Sequence, residues 1–130
     1  MRVGIGYDVH KLSVEEDLIL GGVTIDYHRG LVGHSDADVL VHAIMDALLG
    51  AIAAGDIGSH FPDDDPKYQG VSSLALLEQV VTLVDDKGFI INNLDTVLSA
   101  QQPKLAPYLD QMKANIGSTL EIASNQLNIK

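Results

Sequence analysis

The sequence predicts a single α+β domain in which helices pack on one face of a mixed β-sheet. Its 130 residues are the length of one ordinary domain. An apolar fraction of 46% beside a charged fraction of 20% is typical of a folded protein. Strand-like and helix-like segments alternate in the order strand, strand, helix, helix, strand, helix, strand. The face of the sheet without helices needs its own cover, so we expect an oligomer.

The first predicted strand covers residues 2–10, where apolar residues alternate with small or polar ones. This period places Asp8 and His10 on the same side and turns Val9 to the other, where we expect it to face the core. Residues 18–27 form a second extended stretch. Its Gly21-Gly22 pair predicts a hairpin or a bent strand.

A loop over residues 28–34 leads into the first predicted helix. Ser35 can cap the free N–H groups of this helix, and Asp38 stands where the acid of a capping box would stand. The helix runs to about residue 54, with Gly55 as its stop. Its interior is apolar on nearly every side, which predicts a buried helix.

The remaining segments alternate between loops, helices and strands. We predict a loop over 55–70, a helix over 71–86, a strand over 89–100, a helix over 104–117, a helical turn over 118–125 and a strand over 127–130. The 55–70 loop is long for a compact domain, and such loops are often binding loops.

Composition excludes several classes of protein. A net charge of −10 argues against a nucleic-acid partner. The absence of cysteine excludes disulfides, thiolate nucleophiles and Cys-ligated zinc. No stretch is apolar enough to span a membrane, and the N-terminus does not resemble a signal peptide. We expect a cytoplasmic protein, or a plastid one in a eukaryote.

The candidate metal ligands are Asp8, His10 and His42. Two histidines and one carboxylate with an open fourth position are the ligand set of a catalytic zinc site. An imidazole on a buried apolar helix needs a strong partner. From the residues alone a second interpretation stays open, in which His42 bonds Asp38 or Asp46 one turn away, the commoner role of a lone buried histidine. Asp38 and Asp46 are candidates for supporting the site or for purely structural roles.

Two further groups have both a functional and an ordinary interpretation. His34 and Ser35 lie at the predicted helix N-terminus, where backbone N–H groups attract phosphate, although Ser35 can equally be a simple cap. The run Asp63, Asp64 and Asp65 has the ligands for a hard cation, but such runs more often form a solvated loop.

Five sequence blocks together resemble one known family over essentially the whole chain. They are YDVH, LGGV, GHSDADVLVHAIMDALLG, GDIGSHFPDDDP and SAQQPKLAPYLDQMK. These blocks resemble the 2-C-methyl-D-erythritol 2,4-cyclodiphosphate synthase family. The resemblance favours the metal interpretation, with zinc or another divalent cation on Asp8, His10 and His42.

The resemblance implies a phosphorus–oxygen lyase of non-mevalonate isoprenoid biosynthesis. Its substrate would be 4-diphosphocytidyl-2-C-methyl-D-erythritol 2-phosphate, whose 2-phosphate attacks the β-phosphate and releases CMP. It further implies a homotrimer with the sheets facing the centre and each active site between subunits.

The same resemblance implies the site residues. Substrate contacts are expected, besides Asp8 and His10, at His34, Ser35, Asp56, Gly58, Phe61, Pro62, Asp63, Asp64 and Asp65. His34 is expected to stabilise the transition state. Nucleotide contacts from the neighbouring subunit are expected at Ala100, Gln101, Gln102, Pro103, Lys104 and Leu105.

The sequence departs from the family after Lys130. The family continues with a Thr-Thr-Glu segment that contacts the diphosphate and binds Mg²⁺ or Mn²⁺, and with a last strand. None of these residues is in the 130, which form a domain over residues 1–130 without this segment. If the molecule ends at Lys130, we expect an incomplete sheet, weak nucleotide binding and little or no turnover. If further residues follow Lys130, we expect the usual activity. A trimeric metal- or ligand-binding module without turnover is then the alternative function. A metal-dependent hydrolase or a non-haem iron oxygenase also fits two histidines and a carboxylate.

Overall fold

The structure, a computed structural model, describes all 130 residues as an α+β fold of short strands and longer helices. The strands are β1 Leu12–Ser13, β2 Leu18–Leu20, β3 Val23–Ile25, β4 Gly30–Leu31, β5 Leu94–Thr96 and β6 Leu127–Ile129. The helices are α1 Val39–Ala51, α2 Ile57–His60, α3 Ser73–Asp86 and α4 Leu109–Leu120. Three single 3-10 turns are Pro66–Tyr68, Ala106–Tyr108 and Ser124–Gln126.

The strands form three separate two-stranded ladders, not the single mixed sheet that the sequence predicts. β1 pairs with β4 and β2 with β3, both antiparallel, whereas β5 and β6 are parallel. Residues 1–11 belong to no ladder. The predicted sheet remains divided because this first segment has no hydrogen-bonded neighbour strand.

The first segment rests directly on the backbone of α1. A Cβ added to Gly4 would lie 1.8 Å from the carbonyl oxygen of Ala47, and one added to Gly6 would lie 1.8 Å from that of Ala43. Only glycine permits so close an approach. The even-numbered residues therefore face the helix, and Asp8 and His10 follow Gly4 and Gly6 on this face.

The odd-numbered residues of the same segment form an outward apolar row: Val3, Ile5, Tyr7 and Val9. Their exposed fractions run from 69% to 89%. The prediction that Val9 faces the core is therefore wrong, because the helix covers the even-numbered side. Burial does alternate with a period of two, as predicted.

The predicted hairpin is confirmed, and its turn is tied to the start of α1. Gly21 and Gly22 both have positive φ (56° and 72°), which a two-residue type I′ turn requires. The Asp38 carboxylate accepts their N–H groups at 3.0 and 2.8 Å and that of Val41 at 3.1 Å. Asp38 is fully buried. Burial raises its pKa to about 6, although the three N–H bonds act in the opposite direction.

The N-cap of α1 is Asp38, so the prediction that Ser35 caps this helix is wrong. Ser35 has a left-handed backbone (φ 48°), and the helix begins only at Val39. The helix also ends at Ala51, three residues before its predicted end. Ser35 and Asp38 are only three residues apart, and the hydrogen bonds that Asp38 accepts from the hairpin turn select Asp38 as the cap.

The core lies between α1, α3 and α4, which pack in that order. It contains 21 buried apolar side chains, and seven of the thirteen residues of α1 are buried. None of the helices combines the length and the apolarity needed to cross a bilayer.

In the second half of the chain, short 3-10 turns occupy parts of the predicted loop and helix, and the predicted strand is shorter than expected. The loop over 55–70 contains α2 and a 3-10 turn, and the strand predicted over 89–100 is reduced to β5. The helix predicted over 104–117 is α4, which a 3-10 turn precedes. The Pro residues at 66 and 107 stand in these 3-10 turns, where a missing N–H is tolerated.

Candidate metal centre

The structure brings Asp8, His10 and His42 together at the contact between the first segment and α1. One ligand atom from each of them lies within 4.8 Å of the other two. Asp8 and His10 come from one face of the first segment, and His42 comes from the first turn of α1. This is the arrangement that the metal interpretation predicts.

Backbone contacts fix the orientation of His10. Its Nδ1 lies 2.9 Å from the carbonyl oxygen of Val32, which can only accept, so Nδ1 carries the ring proton. Nε2 then lies 2.8 Å from Asp8 Oδ2. A Cβ at Gly33 would come within 2.8 Å of this ring, so Gly33 leaves the space that His10 occupies.

The two nitrogens of His42 face different surroundings. Nδ1 lies 3.3 Å from Asp8 Oδ2. Nε2 lies 3.0 Å from the hydroxyl of Ser73 and 3.1 Å from that of Ser35. Burial lowers the pKa of His42, although the nearby carboxylate of Asp8 acts in the opposite direction. The neutral ring, which is the form that binds metals, is therefore favoured.

These contacts fit a bound cation. Nε2 of His10 lies 2.8 Å from Asp8 Oδ2, and Nδ1 of His42 lies 3.3 Å from the same oxygen. A positive charge among these three atoms would attract the carboxylate and both ring nitrogens at once. Ligands of a tetrahedral zinc ion, each at about 2.0–2.1 Å, lie roughly 3.3 Å apart. The three side chains therefore have both the spacing and the chemistry for one divalent cation.

Asp38 and Asp46 do not support His42, contrary to the prediction. The carboxylate of Asp38 bonds the hairpin turn and the N-terminus of α1. That of Asp46 accepts the N–H of Ile57 at 2.9 Å and thereby holds the start of α2. Neither carboxylate bonds a ring nitrogen of His42, so the open alternative of a histidine satisfied within its own helix is also wrong.

His34 and Ser35 precede α1 and have different partners. Nε2 of His34 is 3.1 Å from the carbonyl oxygen of Asp65, so His34 links the segment before α1 to the acidic loop. Ser35 contacts His42 as described and bridges to Gln69. The structure thus brings Ser35 beside a metal ligand and His34 beside the loop.

The predicted substrate loop is organised by its own acids. Asp56 caps α2 by accepting both the N–H and the hydroxyl of Ser59, and these bonds lower its pKa. Asp65 caps the following 3-10 turn. Asp63 and Asp64 are exposed, and the run of three does not form a cluster of cation ligands. The ring of Phe61 packs edge-on against Tyr68, with Gly58 and Pro62 on either side of it in the chain.

The predicted nucleotide segment lines the same cleft as Asp8 and His10. This cleft of about 1960 Å³ opens between the first segment and the chain from 88 to 105. Its walls include Ala100, Gln101, Gln102, Pro103 and Leu105, but not Lys104. The recess of a single chain therefore joins Asp8 and His10 to most of the predicted nucleotide segment, but the other predicted substrate residues lie outside its walls.

Sequence reasoning missed Ser73 and Asp36. Ser73 is the first residue of α3 and is fully buried. Asp36 accepts hydrogen bonds from both its N–H, at 3.0 Å, and its hydroxyl. A serine at a helix start and an aspartate in a loop are such ordinary cap residues that no local pattern marks them as neighbours of the metal centre.

Three comparisons with known proteins place this chain among its relatives. The YgbB family matches residues 1–130. A protein from Agathobacter rectalis called 2-C-methyl-D-erythritol 2,4-cyclodiphosphate synthase is 63% identical over all 130 residues, which span 73% of its length. The protein of the same name from Desulforamulus reducens is 62% identical over the same residues, which span 83% of its length.

Solved structures share the fold. The bifunctional IspDF from Campylobacter jejuni aligns with a TM-score of 0.94 at 41% identity over 99% of this chain and 35% of its own. A structure of 2C-methyl-D-erythritol-2,4-cyclodiphosphate synthase gives 0.93 at 34% identity, over 98% of this chain and 85% of that one. IspF from Plasmodium falciparum in complex with CDP aligns with a TM-score of 0.85 at 36% identity, over 99% of this chain and 79% of its own.

Proposed function

The chain belongs to the YgbB family, and we propose that it cyclises 4-diphosphocytidyl-2-C-methyl-D-erythritol 2-phosphate to 2-C-methyl-D-erythritol 2,4-cyclodiphosphate with release of CMP. Relatives that carry the synthase name match the whole chain at 62–63% identity. The observation that carries the proposal beyond the name is the convergence of Asp8, His10 and His42 within 4.8 Å.

In this reaction an oxygen of the 2-phosphate forms a bond to the β-phosphorus. The bond from that phosphorus to the oxygen shared with the CMP phosphate breaks, and CMP leaves with this oxygen. No protein nucleophile is needed, which agrees with a chain that has no cysteine. The barrier arises because two anionic groups must approach each other, so catalysis depends on positioning and on charge neutralisation.

A divalent cation at the centre would supply positive charge to the phosphate oxygens. Asp8, His10 and His42 would hold that cation, which we propose to be zinc. Ser35 lies 3.1 Å from Nε2 of His42 and, where it accepts the proton of that nitrogen, its own proton is free to bond a phosphate oxygen. His34 donates from Nε2 to Asp65, and when protonated it would offer Nδ1–H to the developing charge.

The remaining predicted contacts fit a substrate with two ends. The loop of Asp56, Gly58, Phe61, Pro62 and Asp63–Asp65 lies on the His34 side, and we assign it to the methylerythritol end. The segment 100–105, which the resemblance assigns to the neighbouring subunit, is the part that we assign to the cytidine end of a site between subunits.

The first test is turnover by the zinc-loaded chain. With zinc present we expect CMP release, which chromatography measures, and the signals of a cyclic diphosphate in the ³¹P NMR spectrum. A chelator should stop both, because the positive charge that would neutralise the substrate phosphates is then lost, and added zinc should restore both. Elemental analysis should find one zinc per chain.

Other outcomes would favour the other functions. CMP release with only linear phosphates would indicate a hydrolase. Tight zinc binding without any CMP release would indicate a metal-binding module. Iron in place of zinc, at one per chain, would contradict the proposed cofactor and favour an oxygenase.

We also propose that the chain works as a homotrimer. The outward apolar row (Val3, Ile5, Tyr7 and Val9) is joined on the surface by Ile90 and Val97, which are 88% and 70% exposed. So large an exposed apolar face is typical of a subunit interface. Light scattering should give three times the 13.9 kDa chain mass. Ile5→Asp should reduce that mass, whereas Asp110→Ala should not; a monomeric wild type would contradict the assembly.

A further inference from the structure

The side of His42 that faces away from the candidate cation contacts a buried chain of polar groups. Ser73 Oγ lies 3.0 Å from Nε2 of His42, and Ser73 is fully buried where α3 packs against α1. Behind it, Asp36 accepts both the hydroxyl and the backbone N–H of Ser73. The polar groups therefore follow one another from the Asp36 carboxylate to the Ser73 hydroxyl and the His42 imidazole, which faces the candidate cation site.

The direction of each hydrogen bond in this chain can be worked out. A carboxylate only accepts, so the single hydroxyl proton of Ser73 points to Asp36. The oxygen of Ser73 is then an acceptor, and its nearest remaining neighbour is Nε2 of His42 at 3.0 Å, ahead of the Ser35 hydroxyl at 3.4 Å. Donation from Nε2 to Ser73 places the ring proton on Nε2 and the lone pair on Nδ1, the nitrogen 3.3 Å from Asp8 Oδ2. The Ser35 hydroxyl, 3.1 Å from Nε2, can share that proton as a second acceptor.

We infer that Ser73, held by Asp36, is a positioning residue that fixes both the rotation and the tautomer of His42 for metal binding. This inference rests on the proposed function only in that it places a cation at Nδ1. Without the hydrogen bond to Ser73, the Asp8 carboxylate would attract the ring proton onto Nδ1, and that proton would occupy the lone pair that the cation needs. With this hydrogen bond, the proton stays on Nε2 and the Nδ1 lone pair is available to bind the cation.

A purely structural role is the competing explanation. Asp36 caps α3, since Ser72, its formal N-cap, makes no side-chain cap bond. Ser73→Ala separates the two roles, because it keeps the backbone N–H that Asp36 caps and removes only the hydroxyl that reaches His42. Ser72→Ala is the matched control, one residue away, exposed, and with no cap bond to lose.

The first measurement is zinc affinity of the full chain, by competition with a chromophoric chelator. Removing an outer partner of a ligating histidine typically weakens metal binding by about 10–100-fold. We expect about tenfold for Ser73→Ala, since Ser35 can accept part of the bond at 3.1 Å. Ser72→Ala should bind zinc as the wild type does. Equal affinity in Ser73→Ala and wild type would overturn the inference.

The second measurement needs no variant and no turnover. Nitrogen-15 NMR of the imidazole in the metal-free wild type, at a pH where His42 is neutral, reports which nitrogen carries the proton. We expect Nε2–H in the wild type and a mixture of tautomers in Ser73→Ala. A wild-type ring protonated on Nδ1 would overturn the inference even if Ser73→Ala fails to fold. If zinc affinity and tautomer behave as expected but CMP is not released, the proposed function fails and this role of Ser73 stands.

Discussion

We expect His42→Ala to abolish CMP release and to remove tight zinc binding. The substitution deletes one of three ligands, and Asp8 and His10 alone leave a cation with two protein contacts. Since a bound metal contributes several kcal/mol of transition-state stabilisation, kcat/KM should fall by about 10³-fold or more. Initial rates of CMP release and zinc content per chain, measured on the same preparation, give the two values together.

The control for this substitution is His28→Ala. His28 is exposed, its ring lies tilted against Tyr27, and it is neither a candidate ligand nor a wall residue of the cleft, so both zinc content and rate should remain at the wild-type level. Wild-type turnover in a folded His42→Ala protein would contradict the assignment of the metal centre. Loss of turnover with full zinc content would instead show that His42 acts on the substrate.

The largest expected effect on stability comes from Asp38→Ala. The substitution leaves the N–H groups of Gly21, Gly22 and Val41 without their acceptor, two of them in buried positions. Each unsatisfied buried donor costs about 1–3 kcal/mol, and relief of the buried charge offsets part of this. We expect the free energy of unfolding to fall by about 3 kcal/mol at neutral pH, as measured by urea titration. Asp110→Ala, an exposed acid at the start of α4, should change it by less than about 1 kcal/mol.

This loss should depend on pH in a defined direction. The folded-state pKa of Asp38 is about 6 against an ordinary value of 3.8. A raised pKa contributes stability that is complete below about pH 3.8 and is lost as the pH rises through about 6. The difference between wild type and Asp38→Ala should therefore be larger near pH 4.5 than near pH 7.5, by about 1–3 kcal/mol. A difference that does not change, or that grows with pH, would show that the N–H bonds outweigh burial at this carboxyl.

Local patterns were enough to predict several parts of the fold. Gly21-Gly22 predicted the hairpin because a type I′ turn needs positive φ at both positions. The apolar run of α1 predicted its burial. The period of two in residues 2–10 and the buried histidine on α1 made Asp8, His10 and His42 candidates, and the family resemblance then favoured them as the set that the structure brings within 4.8 Å.

The parts that sequence reasoning missed depend on contacts between distant segments. Ser35 and Asp38 are equally good caps by type, and only the hairpin turn, which Asp38 bonds, selects between them. Val9 lies outside because α1 covers the even-numbered face, which the alternation alone cannot indicate. Ser73 lies 31 positions after His42, and no local spacing predicts that their side chains meet.

The contact of Gly4 and Gly6 with the carbonyl oxygens of Ala47 and Ala43 has a consequence for how the protein can vary. Main chain touches main chain there, so the gap between the two ligand-bearing segments has no side-chain spacer. A larger residue elsewhere in the core can repack without changing that gap, whereas a single methyl group at either glycine must push Asp8 and His10 away from His42. The distances among the three candidate ligands are thus set by a contact between two main chains, and the outward side chains of the first segment can vary without changing them.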